Sequence, residues 1–71
     1  MRPEEIDRLV ATVQNQLAGR VSDLRLLLRD RGLVLQGRAR SYYAKQLAQH
    51  AVIMGTELPL LSNDIEVLSP P

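Results

Sequence analysis

The chain has no cysteine, no phenylalanine and no tryptophan, and its only aromatic side chains are Tyr42 and Tyr43. The missing cysteines exclude disulfide bonds and thiolate metal sites as supports for the fold. At 71 residues we expect one small domain with a net stability of only a few kcal/mol. Leucine, isoleucine, valine and alanine must therefore supply a small aliphatic core.

A long apolar run is also missing. The longest uncharged stretch, residues 46–56, contains glutamine and histidine and is shorter than the roughly 18 apolar residues of a membrane-spanning helix. The first five residues, MRPEE, lack the basic start and apolar segment of a signal peptide. We therefore expect the chain as given to be soluble and cytoplasmic. A periplasmic or envelope location would require that it be cut from a longer precursor.

The catalytic templates are absent as well. The lone histidine, His50, has no acidic residue three or four positions away on its predicted helix, so no acid–base pair forms there. The glycines form no phosphate-binding loop, and the acidic residues are too scattered to bind a hard cation. These absences predict a protein that is not an enzyme, has no cofactor and takes no small-molecule substrate.

A helix is predicted for residues 3–18. Its apolar residues recur at helical spacing and share one face: Ile6, Leu9, Val10, Val13 and Leu17. Pro3 suits the first turn, and Gly19 is expected to adopt the left-handed conformation that ends the helix. The opposite face is polar but not rich in lysine or arginine, so the helix is expected to pack on the core rather than on a membrane.

A β-hairpin follows, with strands predicted at 23–29 and 33–40 around an Asp30-Arg31-Gly32 turn. Its alternating pattern places one apolar or small face against the helices: Leu24, Leu26, Leu28, Leu33, Leu35, Gly37 and Ala39. Glycine at position 37 predicts either a closely passing helix or a bulge in the strand. The other face is predicted to carry no helix and to be mixed: Arg25, Leu27, Arg29, Val34, Gln36, Arg38 and Arg40.

The last elements are a helix at 42–54, capped by Ser41, and a strand at 62–68. Asp64, Glu66 and Leu68 are expected on the helix-free face of that strand, and residues 69–71 (SPP) are expected to end pairing. A right-handed crossover makes the second and third strands parallel. The predicted fold is α+β, in the order α-β-β-α-β, with two helices on one face of a three-stranded mixed sheet whose central strand is the second.

This succession resembles the BON domain. The resemblance lies in the glycine-centred hairpin DLRLLLRDRGLVLQGRARS, the small-residue helix YYAKQLAQHAVIMG and the closing strand SNDIEV, and with the first helix it covers nearly the whole chain. It implies a bacterial interaction module of a family proposed to bind phospholipid, many of whose members are exported to the periplasm. It also implies contact with lipid headgroups near the second helix, where this chain offers Arg40, Tyr42, Tyr43 and Lys45. Alternatively, Tyr43 covers the edge of the core beside Leu47.

Charge is concentrated in the hairpin. Residues 23–45 hold six bases and two acids, whereas residues 46–71 hold three acids and no base. Three interpretations of the helix-free face follow: a solvated surface, a protein-partner or self-association surface, or a surface for anionic phospholipid or nucleic acid. The candidate partner residues are Arg25, Leu27, Arg29, Val34, Arg38 and Leu68. Acidic residues of the last strand are expected to cancel part of the charge.

The predicted architecture is also similar to small KH-like folds, a second route to nucleic-acid binding. In those folds an RNA strand lies against a Gly-x-x-Gly loop, and this chain has no such sequence. Its two adjacent tyrosines are not interleaved through a basic surface, as stacking platforms for single strands are. The sequence therefore keeps nucleic acid only as a minor alternative.

Overall fold

The computed structural model describes residues 1–68 of the chain. Its elements are helix α1 at Pro3–Leu17, strands β1 at Val21–Arg29 and β2 at Gly32–Ala39, helix α2 at Tyr42–Gly55, and strand β3 at Leu60–Val67. The predicted α+β fold with the order α-β-β-α-β is confirmed. The expected end of pairing at residues 69–71 lies outside the described residues.

The sheet has the strand order β1-β2-β3. Strand β1 pairs antiparallel with β2, and β2 pairs parallel with β3, so the predicted mixed sheet with a central second strand is confirmed. Strand β3 begins two residues earlier than predicted, because Leu60 pairs with Leu33. The Leu33 N–H also donates to the carbonyl oxygen of Pro59 at 2.9 Å.

Helix α1 ends one residue earlier than predicted. Pro3 stands in the first turn as expected, and Leu9, Val13 and Leu17 are buried. The residue that leaves the helix in the left-handed conformation is Ala18, with φ of 50°, and its N–H donates to the carbonyl oxygen of Gln14 at 3.1 Å. Gly19 also has a positive φ, 83°. The sequence predicted that Gly19 ends the helix. In the structure Ala18 does so, and Gly19 is the second residue of the turn.

Strand β1 contains a bulge that the alternating pattern did not reveal. The register pairs Ser22 with Arg38 and Arg25 with Gln36, so Asp23 and Leu24 together oppose Gly37. Asp23 adopts a left-handed φ of 54°. The extra residue lets Val21 and Leu24, three positions apart, both face the core. The strand consequently begins at Val21, two residues before the predicted start.

Gly37 faces this bulge and not a helix. A Cβ at position 37 would lie 3.1 Å from both the Ser22 carbonyl oxygen and Val21 Cγ1. The sequence predicted a close helix or a bulge in the strand that contains Gly37, and both predictions are wrong: the bulge lies in β1, opposite the glycine. The space that a side chain would need is taken by the neighbouring strand.

Helix α2 starts as predicted and is tied to β3. The Ser41 hydroxyl accepts a hydrogen bond from the Ala44 N–H at 3.1 Å, which confirms the predicted cap. Asn63 of β3 donates through Nδ2 to the Lys45 carbonyl oxygen at 3.1 Å and to Gln49 Oε1 at 3.2 Å. Its Oδ1 accepts from the Ile65 N–H at 3.2 Å. One amide thus links the helix to the edge strand.

The core is aliphatic, as the composition predicts. Its buried side chains come from every element: Leu9, Val13, Leu17, Val21, Leu24, Leu26, Leu33, Leu35, Ala39, Ala44, Ala48, Val52 and Ile65. Leu28 lies on the predicted face, since it pairs with the buried Leu33, but it is not part of the core. Leu28 is 42% exposed, because it lies on an edge strand beside the turn and lines an open cavity with Met1 and Leu58.

Truncation of Leu35 tests the central strand. Leu35 is fully buried, whereas its neighbour Gln36 is partly exposed. We expect Leu35→Ala to lower the free energy of unfolding by about 2–5 kcal/mol, through lost transfer energy and an unfilled cavity. The control Gln36→Ala should lower it by less than about 0.5 kcal/mol. Equal urea midpoints for the two variants would contradict the register.

A side chain at position 37 should collide with the bulge. We expect Gly37→Val to destabilise the protein by about 1–3 kcal/mol, since the neighbouring atoms are β1 backbone and a packed valine. The control is Arg38→Val, which adds the same strand-favouring residue at an exposed position. Urea unfolding that finds Gly37→Val as stable as the parent would remove the crowding explanation.

Candidate anion-binding cleft

A cavity of about 630 Å³ opens at the end of the sheet where β2 stops and α2 begins. The loop between α1 and β1 forms one wall, and the start of α2 forms another. We call this cavity the arginine cleft, after its charged lining: Arg20, Arg38 and Arg40, with Tyr43 and Leu68 beside them.

The three arginines come from three separate parts of the chain. Arg20 precedes β1, Arg38 belongs to β2, and Arg40 lies in the connection to α2. All three are exposed, and no carboxylate within residues 1–68 lines the cleft. A guanidinium presents a planar fork of donors that matches phosphate and carboxylate oxygens. The cleft therefore has the charge and the type of donor group that suit an oxyanion.

Backbone hydrogen bonds fix the positions from which these side chains emerge. The Arg20 N–H donates to the Leu17 carbonyl oxygen at 3.1 Å, which closes the turn after α1. At the end of β2, the Ala39 carbonyl oxygen accepts from the Leu68 N–H at 2.7 Å. These bonds hold the loop, the strand end and Leu68 around one opening.

The start of α2 adds positive potential to the cleft. Helix geometry leaves the first N–H groups without an intrahelical acceptor, and Ser41 satisfies that of Ala44. The N–H groups of Tyr42 and Tyr43 precede it at the positive end of the helix dipole. An anion held by the arginines would thus also meet a favourable helix end.

The four residues implied for lipid contact are divided by the structure. Arg40 and Tyr43 line the cleft, whereas Tyr42 and Lys45 do not. Tyr42 Oη accepts a hydrogen bond from Gln46 Nε2 at 2.7 Å. Lys45 is half-buried and lies toward β3, because its carbonyl oxygen accepts from Asn63. Tyr43 is 66% exposed, so its ring covers little of the core edge.

Arg20 is the cleft residue that the sequence did not single out. In the sequence it belongs to a segment, residues 1–22, with equal numbers of acids and bases. Its only local signal is its place directly after Gly19 at the end of a predicted helix. Arg38 and Leu68, assigned to a partner surface on the helix-free face, also line this cleft, because both stand at the end of the sheet.

The helix-free face of the sheet has mixed charge. Asp23, Asp64 and Glu66 share a shallow cavity there with Arg25 and Arg38. The parallel register sets Arg38 beside Glu66, so acidic residues lie next to basic ones, as predicted.

The remaining candidate partner residues do not form a broad apolar surface. Leu27 and Val34 are cross-strand partners in the middle of the hairpin, and both are half-buried. Arg25 and Arg29 are exposed on β1. Among the candidate partner residues of the hairpin, the apolar ones on this face are therefore limited to one central pair.

Three other kinds of site were considered for the described residues: a histidine site, a metal site and a membrane-spanning helix. His50 is exposed on α2. Within the described part of the chain, no three histidine or acidic residues come close enough together to hold a metal ion. Neither α1 nor α2, the two helices of residues 1–68, has the length and apolar character needed to cross a bilayer.

Comparisons of the chain with protein-family models, with curated proteins and with solved structures find no match. The cleft is therefore interpreted from its own geometry and charge.

Proposed function

We propose that this chain is a non-enzymatic interaction module of BON type that binds an anionic phospholipid surface through the arginine cleft. The observation that carries the proposal is that three arginines, from separate segments, line a cavity that no carboxylate of residues 1–68 lines. The BON resemblance of the hairpin, second helix and last strand supports the same class of ligand.

Tyr43 suits the proposed contact with a membrane. It is mostly exposed and stands between the cleft and the outer surface of α2. Tyrosine combines an apolar ring with a polar hydroxyl, which favours the boundary between headgroups and hydrocarbon. The ring therefore provides an apolar contact next to the cations.

The expected affinity is low. Each cation near an anionic leaflet contributes about 1 kcal/mol, so the three arginines together supply roughly 3 kcal/mol before Tyr43 is counted. Binding through one domain should accordingly be reversible and should weaken as salt screens the charges. Several copies on one assembly would raise the avidity without any new contact.

Removal of cleft arginines tests the proposal. We expect the double variant Arg20→Gln/Arg40→Gln to bind phosphatidylglycerol vesicles about 30-fold more weakly than the parent at low salt, from about 1 kcal/mol per cation. The control is Arg8→Gln/Arg31→Gln, which loses the same charge on the outer part of α1 and at the hairpin turn. It should bind nearly as well as the parent in a vesicle sedimentation assay.

Phosphatidylcholine vesicles complete this comparison, since they have the same interface without net charge. The parent should bind them much more weakly than phosphatidylglycerol vesicles. Equal losses in the two double variants, or no binding to phosphatidylglycerol at low salt, would rule out the arginine cleft as a lipid site.

A second candidate is association through the helix-free face, favoured by the paired, half-buried Leu27 and Val34 at its centre. Such a contact would make the chain an oligomerisation or partner-binding domain. The mixed charges around the pair would then restrict the partner to a surface of complementary pattern.

Introduction of a negative charge at either residue of the apolar pair separates the two candidate functions. If the face associates, Leu27→Asp or Val34→Asp should abolish the self-association seen by light scattering, because each forces a charge into a dry contact. Vesicle binding should be unchanged by either variant. A parent protein that is monomeric at high concentration would exclude self-association through this face.

A further inference from the structure

A second cavity, of about 320 Å³, runs along the outer side of the two helices. We call it the helix groove. Its apolar lining consists of Leu17, Tyr43, Leu47, Ala51 and Met54. Leu17 is buried, Leu47 and Ala51 are half-buried, and Met54 is 73% exposed at the far end. Methionine is unbranched and polarizable, so it adapts to apolar ligands of varied shape.

The helix groove adjoins the arginine cleft. Arg20 and Tyr43 line both cavities, so the cationic opening and the apolar groove meet at these two side chains. Within residues 1–68, no carboxylate lines either cavity. The result is one surface that is cationic at one end and mostly apolar beyond it, where Gln16 and His50 are the polar side chains of the groove.

The groove has the length of one hydrocarbon chain. Tyr43 and Met54 are 11 positions apart on α2, which corresponds to about 16 Å at a rise of 1.5 Å per residue. The hydrocarbon core of a bilayer is about 30 Å thick, so one leaflet spans about 15 Å. A single extended acyl chain thus matches the distance from the cleft to Met54.

From this adjacency we infer that the two cavities together bind one single-chain anionic amphiphile, such as an alkyl phosphate or a lysophospholipid. The phosphate lies among Arg20, Arg38 and Arg40, and the hydrocarbon chain lies in the helix groove. The inference rests on the proposed anion-binding role of the cleft. It goes further in that the ligand is one monomeric lipid and not only a membrane surface.

The dependence of affinity on chain length tests this assignment. Hexyl phosphate and dodecyl phosphate, each below its critical micelle concentration, would be titrated into the full chain by calorimetry. A methylene contributes about 0.8 kcal/mol when fully buried. With about half burial in an open groove, the six added methylenes should tighten binding about 10- to 100-fold.

Met54 provides the specific variant. Met54→Glu places a charge at the far end of the groove and should remove most of the gain of dodecyl over hexyl phosphate, while hexyl phosphate binds nearly as before. The matched control is Ile53→Glu, which adds the same charge to the same helix at an exposed residue outside both cavities. That control should keep the gain.

The charged end is tested with dodecyltrimethylammonium, which carries the same chain on a cation. It should bind at least tenfold more weakly than dodecyl phosphate, and Arg20→Gln/Arg40→Gln should remove this preference. Equal binding of the two amphiphiles would overturn the placement of the phosphate in the cleft.

The outcomes distinguish this inference from the proposed function. Vesicle binding that depends on the cleft arginines, without a chain-length gain for alkyl phosphates, would overturn the groove assignment and leave the lipid surface proposal intact. The groove assignment would also be overturned if Met54→Glu kept the gain of dodecyl over hexyl phosphate, or if Ile53→Glu lost that gain to the same extent as Met54→Glu. If the parent protein neither binds phosphatidylglycerol vesicles nor prefers dodecyl phosphate to dodecyltrimethylammonium, both the proposed function and the groove assignment are refuted.

Discussion

Ala44 and Ala48 let α2 lie close against the sheet, where both are buried together with Val52. This contact governs the rest of the structure, because α2 is the crossover that brings β3 parallel to β2. Small side chains permit the short distance between helix and sheet, and Asn63 then fixes the helix to β3 through hydrogen bonds to Lys45 and Gln49. Without that approach, the inner face of β3 would lose the helix that covers it.

The fold could be predicted because its signals are local and periodic. Apolar residues at helical spacing define α1, and strict alternation from Leu24 onward defines the hairpin. The bulge at Asp23 could not be predicted in the same way, since it arises when Val21 pairs with Ala39 across the sheet. That pairing is a tertiary contact that overrides the local pattern. The left-handed conformation of Ala18 could not be predicted either, because the adjacent Gly19 is the residue type expected to end the helix.

The candidate site was predicted only where its residues are close in sequence. Arg40 and Tyr43 flank the start of α2 and were found together, whereas Lys45 was grouped with them by sequence proximity alone. On a helix, two positions correspond to about 200° of rotation, so Tyr43 and Lys45 leave α2 on opposite sides. Arg20 reaches the cleft from a distant part of the chain, and neither charge counting nor periodicity reports such proximity.

Stability and the proposed function depend on different residues of this chain. The core is aliphatic, while the cleft arginines are exposed and contribute little buried area. Arg20 and Arg40 carry like charges at one opening, while Arg38 also lies beside Glu66. In the proposed function, a bound phosphate would relieve the repulsion and would stabilise the folded state by mass action. Salt screens that repulsion and also weakens the attraction for phosphate. If the proposed function is correct, the cleft arginines would contribute to selectivity for anions more than to the stability of the fold.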